Sequence, residues 1–458
     1  MSLDSLIRQM DNPQEFTRLC NAVLCASHPR DFQVIDGTRA DQGNDGYLAS
    51  EKRMFAFFCP MKPERQGDTD YVRKLKSDMA KAAALRDEGA YEIEKWTFVT
   101  PGKLSNQVVA IMREEAKNLN LEASHIESTY LAGALLKHKH LIDDFPQLMY
   151  FDIGERIEEI HAAVTAAPTQ KSWSEEDREA GYKTDPVPSN DPDISRVLEL
   201  RSCEDKKKAK AELRAIYSIS RSPAVRVNAV ASLADLFDPR EDDIEEVVML
   251  CDDGARIACD IEEHSLQAWL KAMKGSILSL AFSLKNARTA LNIRIENETG
   301  DQLLSREQRY VSIQQILSLE KRFLNAFDEA IQVCTEYPDL RCTASVLTII
   351  GTAAGSRSVH LRDLGAHERA TGDMIICRRA LLAAKDAYER LEDDKGVAIV
   401  LHNLANQIRF AGHIDEALLL LEEVITIASR LNEPSILQKA EYVRARIRDR
   451  GNLDNPSA

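Results

Sequence analysis

Apolar residues along the first 145 positions switch between two spacings, and each switch marks an element. Asn12-Pro13-Gln14-Glu15 predicts a helix start: Asn12 is placed to cap it, Pro13 takes the first helical position, and Glu15 suits the positive end of the helix dipole. Phe16, Leu19, Cys20, Val23 and Leu24 then recur at helical spacing as far as Ala26. Alternation at Phe32, Val34 and Ile35, and a second apolar run from Met54 to Cys59, predict two short strands. Between them lies a stretch dense in Gly and Asp, in which Asn44-Asp45-Gly46 reads as a turn that sets a carboxylate at the lip of a sheet. Helical spacing returns from Tyr71 to Glu88, with Leu75, Met79, Ala82, Ala83 and Leu85 on one side. Trp96 to Pro101 reads as a compact strand, Ser105 to Asn118 as a helix, Glu122 to Ile126 as a strand and Tyr130 to Lys137 as a short helix. The order α-β-β-α-β-α-β-α predicts a small α/β domain over residues 1–150, a mixed sheet flanked by helices.

Phe151 to Ala167 reads as a helix leaving that domain, and residues 168–193 are rich in Pro, Ser, Asp and Glu, so 151–193 is expected to be a helix and an exposed linker. Beyond it no strand is predicted. Ile194 to Ser218, Pro223 to Leu236, Asp243 to Cys251, His264 to Asn292 and Ser305 to Glu336 all carry helical spacing, making 194–340 a helical region. Within 341–450 the spacing sharpens into a unit. Leu401, Leu404, Ala405 and Ile408 line one helix, Gly412 makes a turn, and Ala417, Leu421, Val424 and Ala428 line a second. Two small residues, Ala405 and Ala417, let such helices pack closely. This unit resembles the tetratricopeptide repeat, a helix-turn-helix of about 34 residues, with Ala405 where that family has Gly and Ile408 where it has an aromatic. Flanking stretches from Ala380 to Leu391 and from Ile436 to Ile447 could form neighbouring units. One unit cannot bury its own apolar face, so the expectation is an all-α solenoid that binds a protein partner, or a second copy of this chain.

The chain has 458 residues, enough for two or three domains, with 44% hydrophobic and 29% charged residues, which are globular values. A formal net charge of −15 argues against a protein that coats nucleic acid. Residues 1–165 hold 20 Lys and Arg against 26 Asp and Glu, so the α/β part is itself mildly acidic. None of the nine cysteines forms a CxxC pair, which argues against a zinc ribbon or a disulfide framework. The opening residues lack the apolar stretch of a secretion signal, and no apolar run reaches about 18 residues. A soluble cytoplasmic protein with no membrane contact is expected.

Asp45 before one strand and Lys62 after the next form the skeleton of a metal-dependent phosphodiesterase site, the acid holding Mg²⁺ and the lysine stabilising charge. The stretches FTRLCNAVL, DGTRADQGNDGY, MFAFFCPMK and WTFVTP resemble the restriction-endonuclease-like superfamily in its Mrr-like branch, over about a third of the chain. That resemblance implies a nuclease fold in which Asp45 binds Mg²⁺ or Mn²⁺. It also calls for an acid or Gln, one spacer and a Lys on the next strand; here the triplet is Pro60-Met61-Lys62, and Pro60 offers no ligand. Glu64 follows the lysine and could take over the missing role, with Glu15 of the first long helix as a further metal ligand. Arg73, Lys74 and Lys76 could contact the phosphate backbone of DNA, although a solvated helix face is the default reading of such a run. His138-Lys139-His140 reads as the basic end of a helix, and Cys251, Cys259, Cys334, Cys342 and Cys377 as core. Fusion of such a domain to such repeats implies a Mg²⁺-dependent DNA nuclease effector of bacterial anti-phage defence. The rival expectation is a catalytically inactive nuclease fold that serves as a scaffold or regulator through protein binding.

Overall fold

The computed structural model describes residues 2–10, 12–35, 44–60, 67–166, 193–299, 305–363 and 367–453. Its contacts divide the chain into two compact units, Met1–Asp152 and Ile153–Ala458. The first is α/β and the second is helical throughout its described residues.

The first unit runs α1 (Leu3–Arg8), α2 (Pro13–Ser27), β1 (Phe32–Val34), β2 (Gly46–Leu48), β3 (Arg53–Phe57), α3 (Asp68–Asp87), β4 (Lys95–Val99), α4 (Asn106–Asn118), β5 (Glu122–Ile126) and α5 (Ser128–Lys137). The cap predicted at Asn12 is in place, its Oδ1 accepting from the N–H groups of Gln14 and Glu15, and Ser105 Oγ caps α4 by accepting from Val108 N–H. The five strands lie in the order β1-β2-β3-β4-β5. β2 is antiparallel to both neighbours, whereas β3, β4 and β5 are parallel. Parallel neighbours need crossovers, and α3 and α4 supply them.

Strand alternation divides the core into two layers. Leu48, Phe55, Phe57 and Val99 pack with side chains of α1, α2 and α5. Met54, Ala56, Trp96 and Phe98 pack with those of α3 and α4. Trp96 and Phe98 are 0% exposed, so the α3/α4 face is sealed.

One strand was not foreseen. Gly46-Tyr47-Leu48 forms β2, paired with β1 and β3, so Asn44-Asp45-Gly46 is the start of a strand and not a turn. A three-residue strand has too few positions to show an alternation, and its partners decide its state. Gly46 is required there because the Phe32 ring lies over it: a Cβ would come within 2.3 Å of that ring.

α6 (Pro146–Ala166) is followed in the second unit by α7 (Asp193–Arg201), α8 (Lys206–Ile219), α9 (Pro223–Asp235), α10 (Ile244–Asp260), α11 (His264–Thr299), α12 (Arg306–Glu336), α13 (Leu340–Asp363), α14 (His367–Arg390), α15 (Asp394–Phe410), α16 (Ile414–Arg430) and α17 (Pro434–Leu453). The expected helix from Ile194 to Ser218 is two helices, because Asp205 caps α8 by accepting from Lys208 N–H and stops the run before it. From α13 onward each helix packs on the next, α13 also meets α15, and α15 also meets α17. Ala405 and Ala417 are 0% exposed, as their small size foretold, and Gly412 turns the chain at φ +90°. Cys251, Cys334, Cys342 and Cys377 are buried, but Cys259 is exposed. At about 100° per residue Cys259 lies ~80° round the helix from Cys251, which carries it off the apolar stripe. Among the described residues no helix is long and apolar enough to cross a membrane.

Candidate functional site

Asp45 sits where β2 begins, beside the C-terminal end of its antiparallel neighbour β3. Its own N–H donates to the Phe55 carbonyl at 2.8 Å, and its carbonyl accepts from Ile35 N–H at 3.1 Å. The next rung of the ladder is not backbone. Phe57 N–H donates to the Asp45 carboxylate, Oδ2, at 2.7 Å. The side chain is thereby fixed at the carboxyl ends of the parallel strands, the edge at which open α/β sheets bind their ligands. Burial pushes its carboxyl above the ordinary 3.8, while the Phe57 N–H and the charge of Lys74 pull the other way.

The helix α3 brings a second carboxylate to this corner. Asp78 is 0% exposed. Lys74, one turn earlier, reaches it with Nζ 3.1 Å from Oδ1 and 3.0 Å from Oδ2, although only Oδ1 is met at a hydrogen-bonding angle. Burial raises the Asp78 carboxyl above its ordinary value, Lys74 and Lys81 lower it, and the charge of Asp45 adds to the rise. A buried amide ties α3 to the sheet here. Asn44 Nδ2 donates to the Asp78 carbonyl at 3.5 Å, and Trp96 Nε1 donates to Asn44 Oδ1 at 3.3 Å.

The comparisons with known proteins add no family. No protein-family model matches the chain, and no curated protein matches it. The site must therefore be argued from its own residues.

Of the predicted site residues, Asp45 and Lys74 are linked through the core: Asn44, next to Asp45, donates to the Asp78 carbonyl, and Lys74 pairs with the Asp78 carboxylate. Lys62 and Glu64 lie outside the described residues. Glu15 is in the first turn of α2, with its carboxylate 3.0 Å from Arg18 Nη2. Arg73 pairs with Asp70 at 2.9 Å, and Lys76 with Glu115 at 3.0 Å. The three cations of the basic run thus serve three different carboxylates, and only Lys74 faces the Asp45 corner. Pro60, in the position where the resembling family has an acid, is buried. The neighbouring Cys59 donates its thiol to the Met10 carbonyl at 3.0 Å.

Whether a divalent cation fits is decided by the donors. Among the described residues no group of three His, Cys, Asp or Glu could hold a metal ion. Asp45 has committed one oxygen to Phe57, and Asp78 is committed to Lys74. Mg²⁺ is commonly held by one or two carboxylates with water and substrate phosphates completing the shell. The corner fits an ion held in that way, through Asp45 Oδ1, and does not form a cage made of protein alone.

Sequence reasoning passed over Asp78. Its signal was present: in the stripe formed by Leu75, Met79 and Ala82 it occupies an apolar position, and it stands four residues after a lysine. A charge inside an apolar stripe must be paired when buried.

Proposed function

We propose that the α/β unit is a nuclease-like domain of the restriction-endonuclease-like kind that acts on a nucleic-acid phosphodiester at Asp45, and that the helical unit is a tetratricopeptide-like solenoid for a protein partner. One observation carries the reading. Asp45 opens β2, and its carboxylate is pinned to the end of β3, the strand from which the chain continues to Lys62. That is the order of parts the resemblance calls for. A Mg²⁺ or Mn²⁺ ion, when bound, would polarise a phosphoryl oxygen and lower the pKa of the attacking water. In this reading Asp45 Oδ1 is its protein ligand, and the Phe57 N–H holds the carboxylate in place so that it need not reorganise. The stacking of α13 to α17, with small residues buried between helices, supports the solenoid.

A second reading is favoured by the buried Pro60 and by the pairing of Arg73 and Lys76 with carboxylates. Here the α/β unit is a binding module without catalysis, and the chain is a scaffold or regulator. Incubation with supercoiled plasmid and single-stranded DNA in Mg²⁺ or Mn²⁺ separates the two. Under the first reading the wild type cleaves and Asp45→Ala reduces cleavage by about 100-fold or more. Absence of cleavage on any nucleic acid leaves the second reading.

A further inference from the structure

We infer that Lys74, carried by α3 and held by the buried carboxylate of Asp78, is the phosphate-facing cation of the Asp45 corner, with Asp78 as its positioning residue. The inference rests on the nuclease-like reading of that corner and changes its composition: the cation comes from the helix after β3, not from the strand end.

The geometry makes the assignment. A long flexible lysine is a poor electrostatic device unless its ammonium is localised. Lys74 is localised by its hydrogen bond to Oδ1 of a carboxylate with no exposure, and the Asp78 backbone is fixed in turn because the Asn44 amide meets its carbonyl while the Trp96 indole meets Asn44. Asn44 is the residue before Asp45, so the tether that fixes Asp78 also fixes the start of β2. The position of Lys74 relative to Asp45 is therefore built into the core. The side chain of Lys74 is still 34% exposed, and an anion arriving from solvent can reach it. Its neighbours differ. Arg73 is 81% exposed and tied to Asp70 at the start of α3, and Lys76 is tied to Glu115 on α4. Asp45 keeps one oxygen, Oδ1, that the Phe57 N–H does not take, for a cation brought in with substrate, while Lys74 remains to meet the phosphate.

The test labels lysines with pyridoxal 5′-phosphate on the full chain, traps the imine with borohydride, and maps the modified peptides with and without a single-stranded DNA oligonucleotide in EDTA. Lys74 is expected to be among the most strongly modified lysines and to be protected at least about threefold by the oligonucleotide. In Asp78→Asn, which leaves Lys74 without its carboxylate, the protection is expected to be lost while labelling persists. Cleavage is compared among wild type, Lys74→Met and Lys74→Met/Asp78→Asn, each shown to be folded by urea unfolding, with a loss of about 100-fold expected in both variants that lack the cation. Protection at Lys62 instead of Lys74, no protection at Lys74, or undiminished cleavage by the folded variants that lack Lys74 overturns the inference. Protection at Lys74 in a protein that cleaves no nucleic acid would sustain the phosphate-facing lysine and refute the nuclease reading, so the two failures are distinguishable.

Discussion

The two units each bury a lysine–aspartate pair, and the pairs have opposite character. In the helical unit Lys210 Nζ is 2.6 Å from Asp242 Oδ2, and both side chains are only 6% exposed. Asp242 also accepts from the Asp238 N–H at 2.8 Å and lies 3.5 Å from Arg214. Burial pushes its carboxyl up, but Lys210, the Asp238 N–H and Arg214 together hold it below 3.8. In the α/β unit the same two residue types, Lys74 and Asp78, leave the carboxyl raised. One pair is over-compensated and closed, as a structural staple should be. In the other, burial outweighs the pull of Lys74 and Lys81, and the ammonium is partly open to water. The difference between the two pairs lies in the surrounding charge, not in the pair itself.

The largest effect expected within this comparison comes from the most enclosed staple of the helical unit. Arg357 of α13 is 2% exposed, donates from Nε to Asp373 of α14 at 2.6 Å, and lies 4.2 Å over the Phe323 ring of α12. Arg357→Met would leave Asp373 charged and unpaired in the core. A destabilisation of ~3–5 kcal/mol is expected in urea unfolding followed by helical circular dichroism. Arg357→Met/Asp373→Asn should recover most of it. Equal losses in the single and double variants would mean that the arginine matters through its packing alone.

Next in size is the direct contrast. Lys210→Met should cost ~3 kcal/mol, because Asp242 then keeps its burial and loses its closest cation. Lys74→Met should cost only about 1 kcal/mol after allowance for solvent screening of a partly exposed ammonium. Thermal or urea unfolding of the two variants at pH 7 measures both. A larger loss at Lys74 than at Lys210 would remove the ground for calling one pair a staple and the other a site.

The pH dependence should differ in sign. A carboxyl raised in the folded state binds its proton more tightly there than in the unfolded chain, so its contribution is fully present below 3.8 and is lost as pH rises through the folded value. A lowered carboxyl contributes above 3.8 and loses that contribution as pH falls through its folded value. Comparison of wild type with Asp78→Asn should therefore show the wild type gaining relative stability as pH is lowered towards 4, and comparison with Asp242→Asn should show it losing relative stability below about 4. Parallel slopes in the two comparisons would mean that the pairs are alike.

Much of this architecture could be read before any fold was known, and the parts that could not share a cause. β5 was expected from Glu122 to Ile126 and spans those residues, because helical stretches bracket it on both sides. α4 was expected from Ser105, and Ser105 caps it. These are local properties. β2 was missed because three residues show no alternation of their own, and its existence depends on pairing with β1 and β3. Lys74 was seen only as one of a basic run, since i,i+4 spacing to Asp78 looks the same on a solvated helix as on one whose next turn is buried. Asp45 could be singled out from its Gly/Asp-rich setting, but its bond to Phe57 N–H could not. Periodicity finds elements, whereas sites depend on which elements meet.

The smallest expected effect bears on whether the units differ anywhere but in their charged pairs. Gly89, after α3, and Gly412, after α15, both close a helix with positive φ, at +72° and +90°. A Cβ at either position would meet nothing within 4 Å, so substitution brings no steric clash with the rest of the fold. What remains is the cost of holding an L-residue in the left-handed region, about 1 kcal/mol, partly offset by the stiffer unfolded chain. Gly89→Ala and Gly412→Ala should then destabilise by equal amounts within about 0.5 kcal/mol in urea unfolding, with no pH dependence between 4 and 8, since neither change touches a titrating group. If Gly89→Ala costs several times more, the turn after α3 is transmitting strain to the helix that carries Lys74 and Asp78, and the charge argument would have to share its explanation with backbone geometry. If the two costs match, the backbone is equally ordinary in both units, and the difference between staple and site belongs to the charged groups alone.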